Sequence, residues 1–245
     1  MRIHKNPIIL LKKITLIFLF LFISVFSFGQ DVVKNMPTYD QKAWHPGFII
    51  GFNSSSFIMT YTPNFSINDS LSMITASASS GIDLGIVTDF RLGDNFDLRF
   101  VPTLAFAARS LNYTFIHDNN PNDTYVVNKQ VNSTYADLPI DLKFKSNRIG
   151  NYRLYVLGGI KDAIDFSSQS DVITTGLKAP VKLNRNDFGY ELGVGVDFYL
   201  EFFKFSFEIK AFHGVRDLLV HDTSTYSMFI AGLFSKMFYF NFDFE

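Results

Sequence analysis

The stretch Asn186-Asp187-Phe188-Gly189-Tyr190-Glu191-Leu192-Gly193-Val194-Gly195-Val196-Asp197-Phe198-Tyr199-Leu200 decides the fold. In an extended chain successive side chains point to opposite faces. Phe188, Tyr190, Leu192, Val194, Val196 and Phe198 therefore share one face, and Gly189, Glu191, Gly193, Gly195, Asp197 and Tyr199 the other. The next segment repeats the pattern, with Phe203, Phe205, Phe207, Ile209 and Ala211 opposed to Lys204, Ser206, Glu208 and Lys210. Such alternation marks strands with one apolar and one polar face. A soluble sandwich buries the apolar face, whereas a membrane barrel turns it to lipid and lines its lumen with the polar one. The pattern alone does not separate the two. Gly193-Val194-Gly195 is no dinucleotide fingerprint, because nothing helical follows it.

Three further features point to the barrel. Alternating segments recur near 47 to 58, 80 to 92, 95 to 110, 133 to 145, 151 to 167, 186 to 200, 202 to 216 and 228 to 245. These eight are long for globular strands, which usually have about five or six residues, but suit tilted strands of a bilayer-spanning barrel. The connections also alternate. Gly93-Asp94-Asn95, Ser146 to Gly150 and the corner at Glu201 are tight, while 59 to 79, 112 to 132, 168 to 185 and 217 to 227 are long and polar, the rhythm of short periplasmic turns and long extracellular loops. An even strand count then puts both termini in the periplasm. Finally, Phe238, Phe240, Phe242 and Phe244 alternate to the end of the chain. They resemble the C-terminal strand signal of outer-membrane proteins, although Glu245 follows the last aromatic. An ordinary edge strand ending in four phenylalanines would invite aggregation.

Composition agrees. Only 18% of the 245 residues are charged, against roughly 25% in soluble chains, and 29 phenylalanines and 11 tyrosines exclude disorder. The lack of cysteine excludes disulfides, thiolate metal sites and cysteine nucleophiles. Residues 1–29 carry Arg2, Lys5, Lys12 and Lys13, then an apolar run from Ile14 to Phe26 and Ser27-Phe28-Gly29. This reads as a cleaved signal peptide rather than a membrane anchor. The remaining chain has 18 basic and 23 acidic residues, a net charge of −5, which offers no nucleic-acid surface. After Gln30 no apolar run reaches the roughly 18 residues of a membrane helix, so any insertion must use a closed barrel. The expected organisation is a signal peptide (1–29), a short periplasmic segment (30–46) and an all-β, eight-stranded antiparallel transmembrane barrel (47–245).

At eight strands the interior is filled by its own side chains. The expected lumen network comprises Asp83, Asp97, Asp141, Glu191, Asp197 and Glu208 with Arg99, Lys143, Lys161, Lys204 and Lys210, and Asp89 also points inward. Paired buried charges make a plug; an ion or proton path is the functional alternative. Glycines 158, 159, 189, 193 and 195 are expected to relieve curvature and make room for lumen side chains. Pro102 and Pro139 interrupt strands of a sheet without edges, so bulges or strand ends outside the bilayer are expected there. His213, His221 and Asp222 lie near the long-loop end, but no spacing sets a hydroxyl against an imidazole. Asp118, Asn120, Asn122 and Asp123 lack the glycine and closing glutamate of a calcium loop, Lys129 standing at the twelfth place. No catalytic, cofactor or metal site is expected.

The stretches Asn151 to Lys161, Lys182 to Glu201 and Ser133-Thr134-Tyr135-Ala136-Asp137-Leu138-Pro139 resemble the PorT family of the Bacteroidetes. The resemblance covers most of the mature chain, including Asn35 to Asn53. It implies an outer-membrane accessory component of the type IX secretion system, which exports proteases and adhesins and supports gliding in some members. It also implies other type IX components as partners, with outer-membrane lipid around the barrel and the assembly machinery during biogenesis; no catalytic residue carries over. Trp44-His45-Pro46-Gly47 and the loops depart from the family pattern. The alternative is a general small barrel with a structural or lipid-modifying role. Asp69-Ser70-Leu71 resembles the short O-glycosylation motif of the same phylum.

Overall fold

The computed structural model describes residues 33–63, 71–117, 120–168, 181–221 and 227–245. The expected signal segment, Asp69, Ser70, Asp118 and Asp222 lie outside the described residues, as do the side chains of Asn120, Asn122 and Asp123. A short 3-10 turn at Tyr39–Gln41 leads into nine antiparallel strands: β1 (Trp44–Tyr61), β2 (Leu71–Arg91), β3 (Phe96–Phe100), β4 (Thr103–His117), β5 (Asn120–Lys145), β6 (Tyr152–Asp165), β7 (Asn186–Tyr199), β8 (Lys204–Gly214) and β9 (Ile230–Phe244). Each pairs with its neighbours in the sheet, β3 and β4 both lying between β2 and β5, and β1 pairs with both β9 and β2, which closes the sheet. Phe48, for example, stands opposite Phe244 on one side and Ile86 on the other. The first strand starts at Trp44 rather than Gly47.

The nine strands are eight in register, because β3 and β4 are two pieces of one. Both lie between β2 and β5, and the pairings Phe100↔Ile140 and Thr103↔Asp137 belong to a single unshifted register. The break falls on Val101-Pro102, directly opposite Leu138-Pro139. Of the two alternatives expected at the prolines, a strand end falls at Pro102 and neither proline carries a bulge: the described bulges lie at Thr60/Tyr61, between Leu71 and Met73, between Ala78 and Ile82, and at Ile116/His117. The local chemistry explains how the register survives. Pro102 cannot donate to β2, but its carbonyl still accepts from the Ile86 amide at 3.1 Å. Val101 faces Pro139, which has no amide proton to give. The Val101 carbonyl instead accepts from Thr103 Oγ1 at 2.9 Å.

A second correction concerns the polar stretches expected as loops. Much of 59–79 and 112–132 is strand, and β5 alone runs for 26 residues. Their outward side chains bond to one another: Asn112 Nδ2 donates to Ser77 Oγ at 2.7 Å, and Asn128 Nδ2 to Asn112 Oδ1 at 2.6 Å. Below this amide ladder the outer surface is apolar all round. Ile86 and Leu192 are each 62% exposed, and Phe244 stacks on Phe48 with ring centres 4.9 Å apart. Inside, Phe57, Leu71, Ile74, Leu111, Tyr113 and Leu233 belong to an apolar cluster under the long strands, and Ile49, Val87 and Val101 make a smaller one. A third cluster gathers Ala105, Ala107, Tyr135, Ala163, Phe212, Met237 and Tyr239, and the remaining interior side chains are largely polar or charged.

Candidate functional site

The alternation that turns phenylalanines outward turns charges inward, and the inward charges meet. Arg99 on β3 reaches Asp89 on β2 at 3.4 Å, Glu208 on β8 at 3.8 Å, and Asp243 on β9 in a closer contact. Lys143 on β5 lies 3.6 Å from Asp89 and 3.3 Å from Asp197 on β7. Lys210 lies 2.8 Å from Glu191, 3.8 Å from Asp141 and 3.9 Å from Glu208. One network thus ties strands from β2 to β9 across the lumen. Hydroxyls and amides complete it: Tyr155 donates to Glu208 Oε2 at 2.9 Å, Ser206 to Asp197 at 2.7 Å, and Asn241 to Glu208 Oε1 at 3.2 Å. The Lys143 ammonium also sits 3.8 Å from the Tyr155 ring centre. Gly195 makes that ring possible, since a Cβ there would stand 2.3 Å from it. Gly158 instead faces outward, against Leu192.

Not every expected member joins. Asp97 pairs separately with Lys145 at 2.6 Å, and Lys204 with Glu245 at 2.8 Å near the end of the barrel that carries the termini. Asp83 takes a hydrogen bond from Asn53 at 2.8 Å rather than an ion pair. Lys161 bonds Asp137 at 3.0 Å and the Tyr239 hydroxyl at 2.5 Å. Farther along, buried Arg109 is held by Ser235 at 2.9 Å, by Ser133 at 3.0 Å and by the Tyr135 oxygen, and its guanidinium lies 4.5 Å from the Phe57 ring centre. Sequence reasoning did not assign Asp243, Lys145, Arg109, Asn241 or Tyr239 to the interior network. The signal for the β9 residues was present: Tyr239, Asn241 and Asp243 alternate with the four terminal phenylalanines.

The N-terminal segment closes one end. Asp40 accepts from Arg153 Nη1 and Nη2 at 3.0 and 3.2 Å and from the Tyr199 hydroxyl at 2.8 Å. Tyr39 donates to Glu245 at 3.0 Å and stacks on His45 at 4.4 Å, and burial pushes its phenol well above the usual tyrosine range. Asn35 bonds Asn151 at 2.9 Å and the Tyr199 carbonyl at 3.0 Å.

Chemically, this interior is a plug. A void bounded by Asp83, Asp137, Lys161, Glu191, Lys210 and Tyr239 amounts to about 10 Å³, about the space of one water. Buried ion pairs of this kind fix geometry more than they add stability. The catalytic ingredients stay apart: His213 lies against Tyr190 on the outer face with rings 5.3 Å apart, while exposed His221 bonds Asp217 at 2.9 Å in the connection before β9. Among the described residues no group of three or more histidines and carboxylates is disposed to hold a metal ion.

Comparison with known proteins agrees with the barrel. A family model described as outer membrane protein beta-barrel domain matches residues 28–220. Among solved structures the chain is similar to the outer membrane protein OprG of Pseudomonas aeruginosa, with 11% identity, a TM-score of 0.44, and coverage of 83% of this chain and 96% of that one. The N-terminal β-barrel domain of OprF from the same organism gives 13%, 0.34, 80% and 96%. Neisserial surface protein A gives 8%, 0.37, 80% and 95%. No curated protein matches the chain.

Proposed function

The chain belongs to the family of outer membrane protein beta-barrel domains, and from that premise we propose that this outer-membrane barrel is a non-enzymatic accessory of type IX protein secretion, docking partner proteins through its loops and rims. The observation that carries the docking role is the filled lumen. Arg99, Lys143 and Lys210 are each shared between two or more carboxylates, which leaves no passage for a folded or extended cargo, so the barrel acts by contact and not as a conduit. The secretion system itself is suggested by the resemblance of residues 133–139, 151–161 and 182–201 to the PorT family. In this reading the termini face the periplasm, where the segment around Asp40 caps the barrel, and the long strands face outward.

The test is deletion in the native host with a complemented control. Type IX cargo should accumulate in cells while the other outer-membrane proteins stay unchanged. Normal export would sink the secretion role and leave an outer-membrane barrel whose lipid A composition becomes the next measurement.

A further inference from the structure

Strand β5 outlasts its neighbour. It pairs with β4 from Asn120 to Asp137 but with β6 only from Tyr135 onward. At the parting point the Thr134 carbonyl accepts from the Phe166 amide at 2.9 Å, and the Thr134 amide donates to Asp165 Oδ1 at 3.2 Å, so both main-chain groups of Thr134 face the β6 side. These groups alternate along an antiparallel strand, and the register with β4 is unshifted from Asp137 back to Thr124. The main-chain groups of Asn132, Gln130, Asn128 and Val126 therefore face that same side. No strand among the described residues pairs with them there. Their side chains are exposed, and none of these four is a proline or a charge, so the outward face lacks those devices for blunting an open edge; Lys129, between them, stands on the other face.

Beside this edge lies a slot of about 130 Å³. Gln130, Val131 and Asn132 form one wall, with Asp165, Val181 and Leu183 across from them. Val181 and Leu183 are buried members of the apolar cluster, and Val131 packs against it. The slot thus joins a row of amides and carbonyls, which no strand among the described residues pairs on this side, to an apolar floor.

We propose that the β5 edge from Val126 to Asn132 docks an extended segment of a partner polypeptide, which adds to the sheet as a strand along the line that β6 leaves at Asp165. Donors and acceptors repeating about every 7 Å are matched by another extended main chain and by no small solute. The guest would present an apolar side chain to Val131, Val181 and Leu183 and polar ones outward. This inference rests on the reading of the barrel as a partner-docking protein, and it supplies the chemistry of the partner.

The experiment uses the full chain in detergent micelles and a panel of fluorescent heptapeptides alternating threonine with valine, isoleucine or phenylalanine. Wild type should bind at least one. N-methylation of one alternate set of peptide amides should weaken binding about tenfold or more, and methylation of the other set should not. Gln130→Pro removes an amide that faces the edge and that β4 does not use, so the variant should fold, as read by heat-modifiable migration, yet bind about tenfold more weakly. Failure of every peptide to bind wild type, or equal binding by Gln130→Pro, would overturn the proposal. So would slow hydrogen exchange at Val126, Asn128, Gln130 and Asn132 without peptide, because the chain itself would then cover the edge. In the host, Gln130→Pro that loses peptide binding but exports type IX cargo normally keeps the slot and separates it from export, the secretion reading then standing or falling on the deletion; loss of both supports both.

Discussion

Arg99 and Asp243 are joined by a hydrogen-bonded ion pair across the barrel interior, 144 residues apart in the chain. Both are fully buried, and Arg99 also faces Asp89 and Glu208. Removing the guanidinium alone leaves Asp243 without its counter-charge in a closed lumen, while Asp89 keeps Lys143 and Glu208 keeps Lys210. Arg99→Met should therefore lower stability by about 3–5 kcal/mol. Adding Asp243→Leu should recover part of that loss instead of deepening it. Trp44, the single tryptophan, reports urea unfolding from lipid vesicles; additive losses in the double variant would show that the two charges act independently.

The Thr103 hydroxyl stands in for an amide that Pro139 cannot supply. Thr103→Val should cost about 1 kcal/mol by leaving the Val101 carbonyl without its donor. Pro139→Ala restores a main-chain amide in register with Val101, so it should offset the Thr103→Val loss. The coupling is read from the four urea midpoints of the double-mutant cycle. Identical effects of Pro139→Ala in the wild-type and Thr103→Val backgrounds would contradict it.

These two pairs show what a sequence discloses and what it withholds. The period of two identified the strands and their two faces, because each residue's face depends only on its neighbours in the chain; closure was legible instead from strand length, the rhythm of the connections and the terminal phenylalanines. Asp243 was equally periodic, but it sits among phenylalanines whose apolar face drew the reading outward. Which charges meet depends on registers between strands: Lys143 on β5 reaches Asp197 on β7, while Lys204 on β8 turns to Glu245. The extensions of β2 and β5 were hidden for a different reason. Ser77, Asn112 and Asn128 are turn-like in composition, and only their ladder across three strands makes an extended conformation favourable.

Asp217 fastens the connection between β8 and β9. Its Oδ1 accepts from the Leu219 and Leu233 amides, each at 3.0 Å, and its Oδ2 meets His221. Burial alone would raise its pKa, but the Leu233 amide, His221 and the Leu219 amide together hold the carboxyl below its ordinary value. A group depressed in the folded state stabilises above its unfolded pKa, about 3.9 for aspartate, and loses that contribution as pH falls through the folded value. Exchange at the Leu219 and Leu233 amides should stay slow from neutrality to about pH 5 and accelerate below about pH 4. Asp217→Ala should show fast exchange throughout; a wild-type profile flat to strong acid, after correction for intrinsic rates, would refute the tether.

Asp40 holds the N-terminal segment against the barrel end through Arg153 Nη1 and Nη2 and the Tyr199 hydroxyl. Arg153 is 7% exposed, so a substitution at position 40 strands a buried cation as well as freeing the segment. Asp40→Ala should cost about 1.5–3 kcal/mol, the range for hydrogen bonds to charged groups. Because the segment makes no strand before Trp44, the loss should be local: trypsin should cut faster at Lys34 and Lys42 while the barrel keeps its heat-modifiable migration. Adding Arg153→Met to Asp40→Ala should recover part of the stability by removing the stranded charge, while cleavage stays fast because the tether is still broken. Unchanged cleavage at both lysines in Asp40→Ala would mean that Asn35 and Tyr39, through Asn151 and Glu245, suffice to hold the segment without the Asp40 pair.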